Sequence, residues 1–358
     1  MNFRFVISNS HPILFPIKQI EGNYLVKDIP DLSNGMETPT DEWMSILDNM
    51  NSDWGYAPIV HILGGALYPL PSAFNITWLS VVEKRLYQYR KTINVHEAEK
   101  KWHEDKDDSW NSCLQILIGL APYGGVAIWF RGYFKSILFS WDKAEAIDIQ
   151  QVDDNLLPEE TFEELYEIAL EENEEVRRNL LKNGLPQPSY FNQLMDQYYY
   201  RFVILLKKWD EKEETWKDYE EDEKYIPGLD FVEAKCFDGT YDKLRDGSLM
   251  EYHTSGKPSH LTIAWHVGKK NYGAYFFFDH EELQVVFNRC YGAHPDTKVD
   301  ILVQMDPEIN HYELALYRYG MKEPLKIDES AYQLMVFRNK FECFRSENYN
   351  LPPGSWRW

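Results

Sequence analysis

Leu114-Gln115-Ile116-Leu117-Ile118-Gly119-Leu120-Ala121-Pro122-Tyr123-Gly124-Gly125-Val126-Ala127-Ile128-Trp129-Phe130 is the stretch on which the fold turns. Two apolar runs of strand length flank a short turn segment. Gly124-Gly125 can supply the positive φ angles of a tight hairpin turn. A third run, Phe134 to Trp141, follows Gly132. The pattern predicts an antiparallel meander buried on at least one face, with Ile116, Ile118, Ile128, Trp129 and Ile137 in its core.

Towards the N-terminus, Arg4–Ile7, Ile13–Ile20 and Tyr24–Val26 are short apolar runs punctuated by Pro12, Pro16 and Gly22. Residues 28–60 are loop-rich. Phe74-Asn75-Ile76-Thr77-Trp78-Leu79-Ser80-Val81-Val82 is β-branched and aromatic, which favours a strand. Residues 94–106 are polar, with Ala98 and Trp102 four apart, and predict a short helix. Beyond residue 228, Leu261–Val267, Gly273–Phe278, Val299–Met305, Glu313–Arg318 and Gln333–Phe337 read as further strands. Between them Asp279 opens a helix as its N-cap, with Glu282 placed for a capping box and Leu283, Val286, Phe287 and Cys290 on one stripe. Ile263, Trp265, Phe276, Phe287 and Ile301 are the expected core there. The tail from Tyr349 to Trp358 is expected to be irregular.

The middle of the chain changes character. Pro158 begins a predicted helix with Glu159 and Glu160 in its first turn, and Lys182-Asn183-Gly184 ends it. A second helix is predicted from Ser189 as N-cap, through Phe191, Leu194, Met195, Tyr198, Phe202, Leu205, Leu206 and Trp209, and on into charged residues to Lys224. Residues 153–224 hold 21 acids and 9 bases. The fold class expected is therefore α+β: two antiparallel β-rich lobes with an acidic helical hairpin between them. The expected segments are an N-terminal β-rich lobe (1–152), the acidic helical segment (153–227) and a C-terminal α+β lobe with its tail (228–358).

Composition excludes several function classes. Of 358 residues, 58 are Asp or Glu and 37 are Lys or Arg, a net charge of −21. Non-specific nucleic-acid binding needs surplus base to neutralise phosphate, so no nucleic-acid partner is expected. Aromatic content of 15% argues for packed cores rather than a disordered chain. The four cysteines, Cys113, Cys236, Cys290 and Cys343, stand far apart, as free thiols do in a reducing compartment. The first residues lack the apolar core of a signal peptide, and no window is long and apolar enough to span a bilayer. A cytoplasmic location without a membrane partner is the expectation.

Catalytic and cofactor motifs were tested in turn. Tyr123-Gly124-Gly125 leads into a strand rather than a helix, which a phosphate loop requires. No G-x-S-x-G elbow occurs. Cys290 and His294 lie four apart, but Cys290 falls on the buried stripe of its helix and reads as a core thiol. His260 and His266 share one strand face and His253 lies one loop earlier, without the three or four converging ligands zinc takes. Trp78, Trp129, Trp141 and Trp265 fall on strands and read as core rather than as sugar platforms. With 58 acids a carboxylate pair is always available, so that signal lacks specificity. No catalytic residue, cofactor or metal site is expected.

Several segments together resemble a bacterial family of unknown function, the domain-of-unknown-function 2931 family. Leu70-Pro71-Ser72-Ala73-Phe74-Asn75-Ile76-Thr77-Trp78-Leu79-Ser80-Val81-Val82-Glu83 is similar to one of its segments, and Gly119-Leu120-Ala121-Pro122-Tyr123-Gly124-Gly125-Val126-Ala127-Ile128-Trp129-Phe130-Arg131-Gly132 resembles its glycine-pair core with one residue more before the pair. Ile263-Ala264-Trp265 and Phe278-Asp279-His280-Glu281-Glu282 are also similar. The resemblance carries over no enzymatic residue. Many members are putative lipoproteins, and this chain departs from them in lacking an early lipid-attachment cysteine. A toxin-associated setting of some members implies immunity proteins.

The leading expectation is a non-enzymatic, protein-binding protein that neutralises a basic toxin domain through an acidic surface. The candidate contacts are Glu163, Glu167, Glu171, Glu174, Asp218 and Glu221. The first four fall at three- and four-residue steps, as they also would on a plain solvated face. The alternatives are a carboxylate-pair hydrolase acting on a polysaccharide or peptide, and a carbohydrate- or small-ligand-binding module. The sequence leaves the oligomeric state open.

Overall fold

A computed structural model of the chain describes residues 5–12, 14–29, 40–47, 54–55, 69–103, 115–132, 135–220, 226–244, 251–292, 294–308, 310–325 and 332–337. They gather into two compact units, one ending at Gln193 and one beginning at Leu194. Both are mixed α+β.

In the first unit the meander is present as β6 (Gln115–Ala121), β7 (Gly125–Arg131) and β8 (Lys135–Lys143), paired antiparallel. Its outer neighbour is β1 (Val6–Ser10), which runs parallel to β6, so this lobe is not wholly antiparallel. A second sheet has the order β3-β2-β4-β5-β9. Its strands are β2 (Ile17–Ile29), β3 (Thr40–Ser45), β4 (Ala73–Ser80), β5 (Arg85–Thr92) and β9 (Glu145–Ile147). Every residue of β6 and β7 is buried. Alternate side chains explain why. Ile116, Ile118, Leu120, Val126, Ile128 and Phe130 join Val26, Phe74, Ile76 and Trp78 of the second sheet in one core. On the opposite face Trp129 meets Trp54 edge-on at 5.0 Å, and Trp54 also contacts Trp141 and Phe191. A continuous apolar run is what a strand covered on both faces requires. Ile137 is half-buried at the rim. Helix α1 (Val95–His103) buries Ala98 and Trp102, as their spacing predicts.

The turn between β6 and β7 differs from the expected glycine pair. Positive φ falls on Tyr123 (60°) and Gly124 (73°), whereas Gly125 has φ −64° and starts β7. Glycine at 125 serves packing instead: a Cβ there would lie 2.3 Å from the Trp141 ring. Tyr123 is costly in the left-handed region. Glu83, in the β4–β5 turn, holds it there. One carboxylate oxygen accepts the Tyr123 N–H at 2.9 Å, and the other accepts the Tyr87 hydroxyl at 2.9 Å. Tyr123 in turn donates its hydroxyl to the Pro186 carbonyl at 2.7 Å.

The predicted helix over 158–183 is two helices. Thr161, with Glu164, closes a capping box on α2 (Phe162–Glu172), so the helix starts later than Pro158. Asn173 then caps α3 (Glu174–Asn183), its side chain accepting from the Glu175 and Val176 N–H groups. A short polar side chain that captures backbone donors ends one helix and begins the next. Gly184, at φ 67°, ends α3 where expected. Phe162, Leu165, Tyr166 and Ala169 of α2 pack on Leu79, Val81 and Leu86.

The second predicted helix is corrected. Only α4 (Pro188–Leu194) is helical, and residues 198–206 form a strand, β10 (Tyr198–Leu206). The acidic helical hairpin therefore does not form. The segment carries two periods at once. Tyr198, Tyr200, Phe202 and Ile204 alternate, are aromatic or β-branched, and are all buried. The strand wins by pairing in parallel with β18 (Val299–Met305). Charged residues after it form a hairpin of β11 (Lys208–Asp210) and β12 (Thr215–Lys217), with Trp209 and Trp216 facing across it.

The second unit holds two larger sheets. One has the order β14-β13-β16-β17-β21 and is antiparallel: β13 (Gly228–Cys236), β14 (Tyr241–Leu244), β16 (Pro258–Val267), β17 (Lys270–Phe277) and β21 (Tyr332–Phe337). The other has the order β15-β10-β18-β19-β20, with β15 (His253–Ser255), β19 (Tyr312–Arg318) and β20 (Met321–Pro324). Helix α5 (His280–Tyr291) starts at Asp279, which accepts the Glu282 N–H. Ile263, Trp265, Phe276, Phe287 and Ile301 are all fully buried.

Removing the carboxylate in Glu83→Ala takes away the acceptor of both the Tyr123 N–H in the β6–β7 turn and the Tyr87 hydroxyl in β5. We expect the unfolding free energy to fall by about 1–3 kcal/mol in urea titration. An unchanged midpoint would show that the turn is held without it.

Candidate functional site

The sequence-predicted acidic residues do not share one surface element. Glu163, Glu167 and Glu171 lie on the outer face of α2, opposite its packed side. Glu174 opens α3, past the break at Asn173. Glu163 is engaged by Lys84 at 2.6 Å, and Glu174 by Arg178 one turn on at 3.0 Å. Glu167 and Glu171 are exposed without an ion-pair partner among the described residues. Asp218 stands in the second unit, after β12, and pairs with Lys207 at 3.1 Å. Glu221 lies outside the described residues.

The α2–α3 segment combines two features. Residues 153–183 hold eleven acids and three bases. Large apolar side chains stand exposed among them: Leu156, Ile168 and, most of all, Leu181 at 81%. Exposed single apolar residues are ordinary, but several within one strongly charged segment suit a protein contact.

A polar cluster that sequence reasoning missed lies inside the second unit. Asp238 is wholly buried. Its carboxylate accepts from Gln197 Nε2 at 2.5 Å, the Thr240 N–H at 2.9 Å and Thr240 Oγ1 at 2.6 Å. Gly256 lets the chain pass it, since a Cβ there would sit 2.3 Å from the carboxyl carbon. Next in sequence, Lys257 is also wholly buried and donates to Gln284 Oε1 at 2.7 Å. The Tyr200 hydroxyl donates to the Gly256 carbonyl at 2.7 Å, beside the Cys236 thiol. Burial decides the protonation here. It pushes Lys257 down to about 8, against the nearby charges of Asp196 and Asp238. It raises Asp238 and Asp196, pushes the Cys236 thiol up to about 12, and lowers His280 to about 4. Only the turn dipeptides Asp238-Gly239 and Lys257-Pro258 mark the cluster in the sequence, and they announce turns, not a buried network. With Asp238 and Lys257 fully covered, the arrangement offers a substrate no access, and its chemistry is that of an internal hydrogen-bonded network.

The other candidates make local contacts. His260 is buried and stacks on Phe277 at 4.8 Å, His266 meets Asp230 at 3.0 Å, and His253 lies against the Tyr200 ring. Among the described residues no group of three His, Cys, Asp or Glu side chains gathers to hold a metal ion. Cys290 is a buried thiol raised to about 11 by burial. Cys113 and Cys343 lie outside the described residues. Trp78, Trp129 and Trp265 are wholly buried core residues, and Trp141 donates to Asn192 Oδ1 at the edge of its cluster. No helix among the described residues is long and apolar enough to cross a membrane.

Two outcomes follow for the cluster. Asp238→Ala strands the donors of Gln197 and Thr240 in the interior, and we expect a loss of about 2–4 kcal/mol in urea unfolding. Lys257 has a folded pKa below its ordinary value of 10.5, so the unfolded chain binds more protons between about pH 8 and 10.5. Its contribution to stability is therefore full above that window and lost as pH falls through it. Measured against Lys257→Met, the wild type should gain relative stability as pH rises from 8 to 10.5. A pH-independent difference between the two would contradict the burial argument.

Residues 2–186 match the family described as a protein of unknown function, DUF2931. The match takes in both quoted motifs and the Glu83 turn, and it ends before Ile263–Trp265 and Phe278–Glu282. No curated protein and no solved structure matches the chain. With more than half of its length inside that match, the chain belongs to the DUF2931 family.

Proposed function

We propose that this chain is a non-enzymatic protein-binding protein whose α2–α3 surface docks a basic partner, and that the partner is a toxin domain which the chain neutralises as a cytoplasmic immunity protein. The observation that carries the docking reading is the pairing, on one segment, of exposed acids without an ion-pair partner among the described residues (Glu167, Glu171) with exposed apolar side chains (Ile168, Leu181). Acidic groups steer a basic partner and speed its approach, while apolar side chains supply buried contact once it has docked. Glu163 and Glu174 contribute less, because Lys84 and Arg178 already screen them. The immunity role itself rests on the toxin-associated setting implied by the family resemblance. The hydrolase reading asks for a carboxylate pair facing a cleft, and Asp238, with its raised pKa, is instead sealed in the interior.

The test uses tagged chain to capture its partner, then stopped-flow association of the purified pair at low and high salt. Glu167→Lys with Glu171→Lys should slow association at least tenfold at low salt and leave dissociation nearly unchanged. Co-expression should restore growth to cells that express the partner alone. An association rate indifferent to the two reversals would end the acidic-docking reading. A partner that is harmless when expressed alone would end the immunity reading.

A further inference from the structure

Among the described residues of the first unit, two carry a side chain at positive φ: Lys84 (52°) and Tyr123 (60°). Glycine takes that conformation without the steric cost a Cβ imposes. Each of these side chains makes a contact that glycine could not. Lys84 Nζ lies 2.7 and 2.6 Å from the two carboxylate oxygens of Glu163, and 4.0 Å from the centre of the Tyr166 ring. Both partners belong to the first two turns of α2. The Tyr123 hydroxyl donates to the Pro186 carbonyl, three residues past the end of α3. Two costly turn conformations thus hold the two ends of one segment. They are also joined to each other, because Glu83, next to Lys84, accepts the Tyr123 N–H.

The segment between those ends depends on such ties. No residue of α2 is fully buried, and α3 buries only Val176. Elements with so little buried surface open locally, at a small part of the cost of global unfolding. One hydrogen bond or one cation–π contact is then enough to change the opened population severalfold. Backbone strain that persists in a folded chain is maintained by the contacts around it, and here those contacts converge on α2–α3. We propose that Lys84 and Tyr123, linked through Glu83, form a two-point clamp that sets the local opening of α2–α3, and with it the order of the docking face. Both act through the helices, as positioning residues. The clamp stands without any partner. Its effect on a partner rests on the docking reading, since a surface that is already ordered loses less entropy when it binds.

Amide hydrogen exchange on the full chain, with no partner present, tests the clamp. Lys84→Met should speed exchange in the first two turns of α2 about three- to tenfold. Tyr123→Phe, which removes only the hydroxyl, should do the same at the C-terminal end of α3. The amides of β6 and β7 should stay within about twofold in both variants, because local opening leaves the core closed. Tyr123→Gly, which also relieves the positive φ, should loosen α3 at least as much as Tyr123→Phe. Unchanged exchange in both helices, or a rise shared equally by β6 and β7, would overturn the proposal. A captured partner supplies the second arm. Coupling between sites is reciprocal, so its binding should slow exchange at the Tyr123 amide. A partner that protects α2 but leaves the Tyr123 amide unprotected would overturn the link between clamp and docking. A partner that protects neither helix would overturn the docking reading and leave the clamp standing.

Discussion

One carboxylate ties together the two sheets of the first unit. Glu83 stands in the turn after β4 and reaches the turn between β6 and β7, forty residues on, where it accepts the Tyr123 N–H. The same group accepts the Tyr87 hydroxyl from β5. The second sheet thereby fixes the conformation of a turn in the first. That turn needs fixing, because Tyr123 takes a φ of 60° that side-chain-bearing residues avoid. Gly124 follows at φ 73°, so close to the Tyr87 ring that a Cβ would lie 2.9 Å from it. The Leu70–Glu83 and Gly119–Gly132 segments are thus joined through one contact, Glu83 to Tyr123.

Much of this was legible before any coordinates. The meander, α1 with Ala98 and Trp102, the α5 stripe and the second-unit core all follow from period and propensity, because burial there is strong enough to write a clear pattern, a continuous run in β6 and β7 and a stripe on the helices. Legibility failed where two patterns coincide. Residues 191–209 satisfy a helical period and, from Tyr198, an alternating one, and only the distant β18 decides between them. Local sequence holds no information about that partner. Asn173 gives no break signal for a different reason: an asparagine inside a helical pattern costs little, and its capture of the Glu175 and Val176 N–H groups is visible only in the structure. The β6–β7 turn was assigned to the right residues, but the positive φ angles sit one position earlier than the glycine pair suggests.

The buried cluster shows the same limit from the side of chemistry. Asp238, Lys257, Cys236 and Gln197 come from separate stretches, and each alone reads as a turn residue or an isolated side chain. Folding assembles them with Asp238, Lys257 and Cys236 buried and Gln197 partly so, and burial then sets the protonation: the acid rises and the base falls. Such shifts often mark active sites. Here every shifted group is engaged by neighbouring side chains or main chain, so the shifts follow from how the second unit is built.

The surface charge obeys a different logic. The sequence pattern places the acids of residues 153–224 on one pair of helices, but among the described residues the fold divides them between α2–α3 in the first unit and the β11–β12 hairpin with the residues after it in the second. In each group one acid accepts N–H groups of its own turn. Glu164 closes the capping box on Thr161, and Asp210 accepts the Lys212 and Glu213 N–H groups. The remaining acids stand in separate local geometries, Glu167 and Glu171 on the face of α2 and Asp218 and Glu220 past the end of β12.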